Sequence, residues 1–238
     1  MYDVMEDLLR QGRYDEAKQQ SLLGSKGDEA GLAALLELRS WLRDKRYEMA
    51  RNSLEKDARF LIPYLNLTDA REALKAFEAE DPVALEPYLN NPHLGAEAYC
   101  VLGVIRVREG DTEGARLAFN NSLQLDPGHY RSITNLGNLE LEAGRIAEAV
   151  LMYERALQAN PDYPHAHHNL AVAYRKLGRI DKSVHHLKRE QRILYRSPAR
   201  KLTDTGLPQP SRSVLGHLSS RWLLWVGVIA VIYWLLRR

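Results

Sequence analysis

The sequence predicts an all-α chain in which helical hairpins stack in series and one apolar helix follows at the C-terminus. Three observations carry this reading: positions that recur every 34 residues, apolar residues at helical spacing upstream of them, and an uncharged run of fifteen residues from Trp222 to Leu236.

The repeat comes first because it fixes the rest. Leu102-Gly103, Leu136-Gly137 and Leu170-Ala171 stand 34 residues apart. The same step separates Gly110, Gly144 and Gly178, then Ala115, Ala149 and Ser183, then Phe119, Tyr153 and Leu187, and finally Pro127 and Pro161. Small residues at Gly103 and Ala115 let two antiparallel helices approach closely. The glycines at 110, 144 and 178 suit the left-handed residue that ends a first helix. Phe119 and Tyr153 fill the space between each pair and its neighbour. Pro127 and Pro161 follow each second helix because proline lacks the amide hydrogen and clashes with the preceding turn. A single hairpin cannot bury its apolar face, so the units must stack.

This pattern resembles the tetratricopeptide repeat family over residues 96–129, 130–163 and 164–196. The resemblance implies a right-handed superhelix that binds other proteins. It departs from the family where Ile133 and His167 replace a large aromatic early in the first helix, and where Ser183, Glu190 and Tyr195 replace the usual Ala, Ala and Pro. Without that proline the last helix is expected to run to about Arg196. The predicted domains are residues 1–94 (divergent hairpins), 95–196 (three repeats), 197–220 (a basic flexible neck) and 221–238 (a transmembrane anchor). In the first of these, Gly12-Arg13-Tyr14-Asp15-Glu16-Ala17 and Lys45-Arg46-Tyr47-Glu48-Met49-Ala50 echo the repeat 33 residues apart. Hairpins continuing the same solenoid and a separate small helical cap both fit that segment.

In the family, first helices line a concave groove, which implies a site at Arg108, Arg131, Thr134, Asn135, Asn138, His168, Asn169, Val172, Arg175 and Lys176. Glu97, Cys100, Val101, Val104, Glu142 and His165 share that phase. The asparagines are the expected centre, since an amide offers both donor and acceptor to the main chain of an extended peptide. Cys100, Val104, His165 and Asn169 stand where a carboxylate clamp of the chaperone-binding kind needs other groups, so such a clamp is not expected.

The sequence points away from catalysis. It has no glycine-rich phosphate loop, no nucleophile elbow and no paired His-Glu metal motif. His165 and His168 share a helix face, but no carboxylate or cysteine is arranged with them, and Cys100 is the only cysteine. No metal, no cofactor and no enzyme activity is expected.

Charge and hydropathy place the chain at a membrane. The net charge is +2, yet residues 188–221 carry eight basic side chains against Glu190 and Asp204, and Arg237 and Arg238 add two more, leaving residues 1–187 at −6. The apolar run spans about 22 Å as a helix, against a roughly 30 Å hydrocarbon core. Trp222, Trp225 and Trp234 stand at its ends as interfacial anchors, and Arg221, Arg237 and Arg238 can reach headgroups to extend it. The excess of basic residues before the run predicts a cytoplasmic body. The acidic N-terminal stretch is not a secretory signal. In a bacterium the membrane would be the inner one; in a eukaryote, the mitochondrial or peroxisomal outer one. The neck is expected to attract anionic lipid. The acidic body opposes nucleic acid as a partner. The expected function is a membrane-anchored adaptor or scaffold that grips a protein segment, extended or helical, in its groove; the alternative is a constitutive structural subunit of a larger membrane assembly.

Overall fold

The computed structural model describes residues 4–23 and 27–196, and the chain divides into two compact units, Met1–Ile193 and Leu194–Arg238. Of the second unit only the end of the last helix is described. Among the described residues every regular element is a helix. The predicted neck and anchor, with Trp222, Trp225, Trp234, Arg237 and Arg238, lie outside them. No helix among the described residues is long and apolar enough to cross a membrane.

The helices form successive hairpins: α1 (Val4–Arg10) with α2 (Tyr14–Leu22), and α3 (Glu29–Arg43) with α4 (Tyr47–Lys56). A single turn, α5 (Ala58–Leu61), precedes α6 (Leu67–Ala79), whose partner α7 (Pro82–Leu85) is cut to four residues and followed by a 3-10 turn. Then come α8 (Gly95–Arg108) with α9 (Thr112–Leu125), α10 (Tyr130–Glu142) with α11 (Ile146–Ala159), and α12 (Pro164–Lys176) with α13 (Ile180–Arg196). The long final helix is the one expected from the missing proline.

One device closes the hairpins. A left-handed residue follows the first helix each time: Gly12, Lys45, Glu80, Gly110, Gly144 and Gly178. At five of these the next residue's N–H reaches back to a carbonyl five residues earlier, as from Arg46 to Trp41 at 2.8 Å and from Arg145 to Glu140 at 2.9 Å. These bonds satisfy carbonyls that a helix end leaves orphaned. Lys45 and Glu80 adopt the same conformation against their side-chain preference. The N-terminal hairpins thus share the turn of the later ones, although two of the three make it without glycine.

The small residues of the repeat do what their spacing predicts. A Cβ on Gly103 would sit 2.4 Å from the Phe119 ring, and one on Gly137 would sit 2.6 Å from Tyr153. Phe119 and Tyr153 are fully buried because those glycines leave room. An apolar core runs without interruption from Met5 through the N-terminal hairpins to Ala98, Val101 and Ile105 of α8. Smaller clusters around Phe119, Tyr153 and Tyr130 continue it along the later pairs.

Candidate partner-binding cleft

The expected groove face of α8 and α10 splits into a sealed part and an open part. The N-terminal halves of both helices are sealed by the N-terminal hairpins. Glu97 is buried and accepts hydrogen bonds from Tyr47 of α4, from His129 Nε2 at 3.1 Å and from Arg131 at 2.8 and 2.9 Å. Burial opposes charge on Glu97, but Arg131, His129 and Tyr47 outweigh it and hold the carboxyl below its usual range. Arg131 also donates to the Leu42 carbonyl at the end of α3. Beside it Arg43 donates from Nε and Nη2 to the two carboxylate oxygens of Asp126, and Tyr130 donates to Asp44. These three contacts join positions more than 80 residues apart and tie the end of α3 to the C-cap of α9 and the start of α10.

Glu97, Cys100 and His129 bring one ligand atom each within 4.8 Å of one another. The arrangement is poorly suited to a cation. Arg131 already supplies the positive charge, and the Ser132 N–H donates to His129 Nδ1 as the cap of α10. Nδ1 therefore carries the lone pair, and the proton sits on Nε2, which faces Glu97. An ion there would have to displace that proton and sit against a guanidinium.

The C-terminal halves of α8 and α10 remain open. Val104, Val107, Arg108, Phe119, Asn135, Asn138, Leu139 and Glu142 line a cleft of about 200 Å³. Its floor is apolar and its rim polar. Asn135 is half-buried in it and makes no side-chain hydrogen bond among the described residues. Asn138 Oδ1 accepts from Tyr153 at 2.8 Å and from Asn169 Nδ2 at 2.8 Å, so the two asparagines tie α10 to α12. Arg108 reaches across to Glu80, which Lys45 also holds at 2.9 Å; these two cations keep the Glu80 carboxyl below its usual range.

Several expected groove residues are placed elsewhere. Arg131 is committed to Glu97, and Thr134 is buried with its hydroxyl on the Tyr130 carbonyl; neither faces an open groove. Glu97, Cys100 and Val101 are likewise in the interior. For Glu97, Val101 and Arg131 the cause is the N-terminal hairpins, which reach them through Tyr47, the apolar core and the Leu42 carbonyl. His168 turns toward α13, where its Nδ1 lies 3.2 Å from Glu190. Val172 is half-buried and Arg175 and Lys176 are exposed, but none of the three lines the cleft. Only Arg108, Asn135 and Asn138 of the expected site come together there. Sequence reasoning missed Val107 and Leu139, whose signal was only that they continue the apolar lines of their helices.

With this geometry in view, residues 96–129 match the family described as "Tetratricopeptide repeat" and residues 137–184 the family described as "TPR repeat". The chain carries tetratricopeptide repeats. Repeats of this kind generally bind protein partners. A curated relative, the probable UDP-N-acetylglucosamine–peptide N-acetylglucosaminyltransferase SPINDLY of Arabidopsis thaliana, is 35% identical over 112 residues. That match covers 47% of this chain and 12% of the relative, so the chain spans about an eighth of the relative's length. Among solved structures, a crystal structure of MamA aligns over 85% of this chain and 99% of its own at 17% identity and a TM-score of 0.42. A second MamA structure, MSR-1, aligns over 70% and 97% at 19% identity and a TM-score of 0.41.

Proposed function

We propose that this chain is a membrane-anchored adaptor without catalytic activity, which holds a segment of a partner protein in the α8–α10 cleft and thereby recruits or assembles a membrane-associated complex. The observation that carries the reading is the cleft itself: an apolar floor beside an unpaired amide on Asn135, in the part of the repeat face that the N-terminal hairpins leave open. Asn135 offers a donor and an acceptor to a partner's main chain, and Val104, Phe119 and Leu139 accept one apolar side chain. The anchor is the apolar run from Trp222 to Leu236, flanked by Arg221, Arg237 and Arg238. The basic neck adds attraction to anionic headgroups.

Affinity purification of the full-length protein from solubilised membranes tests this. A partner should co-purify with the parent chain and be lost with Asn135→Ala combined with Val104→Asp. It should be retained with a change of similar chemistry on the far side, Leu117→Asp. Retention in the cleft variant would refute the site.

A further inference from the structure

The final helix repeats its predecessors in register, and its departures are informative. Thirty-four residues separate Ile146, Val150 and Tyr153 of α11 from Ile180, Val184 and Leu187 of α13. In α11, Val150 and Tyr153 are buried, with α12 packed against that cluster. In α13 the same apolar line is kept but bare: Ile180 is 55% exposed, Val184 42% and Leu187 40%, with Leu177 at the end of α12 beside them at 40%. Only Ser183 of the whole helix is buried.

Two positions bordering this stripe change character in the same step. Asn120 and Gln124 in α9, and Glu154 and Gln158 in α11, become Lys188 and Arg192 in α13. They continue the line of Val184 at four and eight residues on. Neither makes an ion pair among the described residues, whereas Arg189 on the opposite side is held by Asp162 at 2.8 Å. An apolar stripe bordered by free cations is the pattern of a helix lying in the plane of an anionic membrane surface, with the stripe among the acyl chains and the cations at the phosphates. The chain that follows is continuous with this chemistry. Residues 197–221 add four basic side chains against one acid before the apolar run begins.

We propose that α13 is a lipid-docking helix: Ile180, Val184 and Leu187 enter the interface of an anionic bilayer while Lys188 and Arg192 pair with its headgroups, setting the last repeat against the membrane. The proposal uses residues distinct from the cleft and from the anchor, so it can fail or hold without either.

The test uses the full chain with a polarity-sensitive fluorophore on a single engineered cysteine, Leu187→Cys or, for comparison, Leu117→Cys; native Cys100 is fully buried and escapes labelling. Protein is mixed with vesicles of phosphatidylcholine alone or with about one-third phosphatidylglycerol, and flotation is measured alongside emission. The expected result is a blue shift at position 187, quenched by spin-labelled lipid, on the anionic vesicles and none at position 117. Lys188→Gln with Arg192→Gln should abolish most of that shift. A probe at 187 that stays in water on floated anionic vesicles overturns the inference while leaving the anchor standing. A blue shift at 187 already present in lipid-free detergent, unchanged by vesicles, also overturns it, because the stripe is then covered by protein, either a second copy or the chain's own C-terminal segment. Flotation on anionic but not neutral vesicles with the 187 shift intact would support α13 and refute the anchor.

Discussion

The two ends of helix α10 share one face and have opposite fates. In its first turns Tyr130 and Arg131 are tied to Asp44 and Leu42 at the end of α3 and to the buried Glu97 of α8, and Thr134 is buried. Its later turns, at Asn135, Asn138 and Glu142, border an open cleft. Repeat register alone assigns Arg131, Thr134, Asn135, Asn138 and Glu142 to one groove. What separates them is a hairpin more than 80 residues upstream, so the binding surface of a repeat array is set by what folds over its end as well as by the repeat itself.

Breaking the sealed end should have the largest effect. Glu97→Gln would leave Arg131 buried beside a neutral amide, and we expect a loss of about 3–5 kcal/mol in denaturant unfolding. A double replacement, Glu97→Leu with Arg131→Met, should recover much of that loss, since it removes both charges together. If the single change costs under about 1 kcal/mol, the network does not seal the face.

Acid probes the same end by another route. His93 is buried against Tyr14, with its Nδ1 2.5 Å from the hydroxyl, and burial pushes the imidazole down to about 4. The unfolded chain takes up that proton near 6.5, so it binds more protons than the fold between those values. Stability from this group is complete above about pH 6.5 and falls as pH drops toward 4, by about 3 kcal/mol in all. Thermal melts over that range should show the slope, and His93→Gln should flatten it.

The repeat half responds to a different injury. Gly137→Ala forces a methyl against Tyr153, and we expect a cost of about 1–3 kcal/mol together with weaker partner binding, since Tyr153 supports Asn138. The smallest effect on stability belongs to Asn135→Ala, within about 0.5 kcal/mol, because the amide has no partner to lose among the described residues. Its effect on partner capture should nonetheless be large, which is the sharpest contrast between the two ends.

How much of this was legible in the sequence follows the same division. The helical hairpins and the left-handed glycines at 110, 144 and 178 are written in local spacing, and local spacing was enough; that Phe119 packs on Gly103 of its own hairpin is shown only by the structure. Lys45 and Glu80 carry the same turn without glycine; the echo of the repeat at 45–50 hinted at the first, and nothing in the sequence pointed to the second. The burial of Arg131 and Thr134 was not legible. For Arg131 it depends on Leu42 and Asp44 meeting the start of α10 and on Tyr47 meeting Glu97 of α8, and no periodic signal records contacts of that range. Arg108, Asn135 and Asn138 line the open cleft because they sit beyond its reach.

The claim that one repeat face is sealed at its start and open at its end is tested most directly by photo-crosslinking from single positions in the full-length protein in its membrane. Photoreactive residues at Val107 and Glu142, on the cleft rim, should yield the same partner adduct, while those at Leu117 and Leu151 on the exposed faces of α9 and α11 should yield none. Adducts that arise from Leu117 or Leu151 and not from the rim would contradict the account.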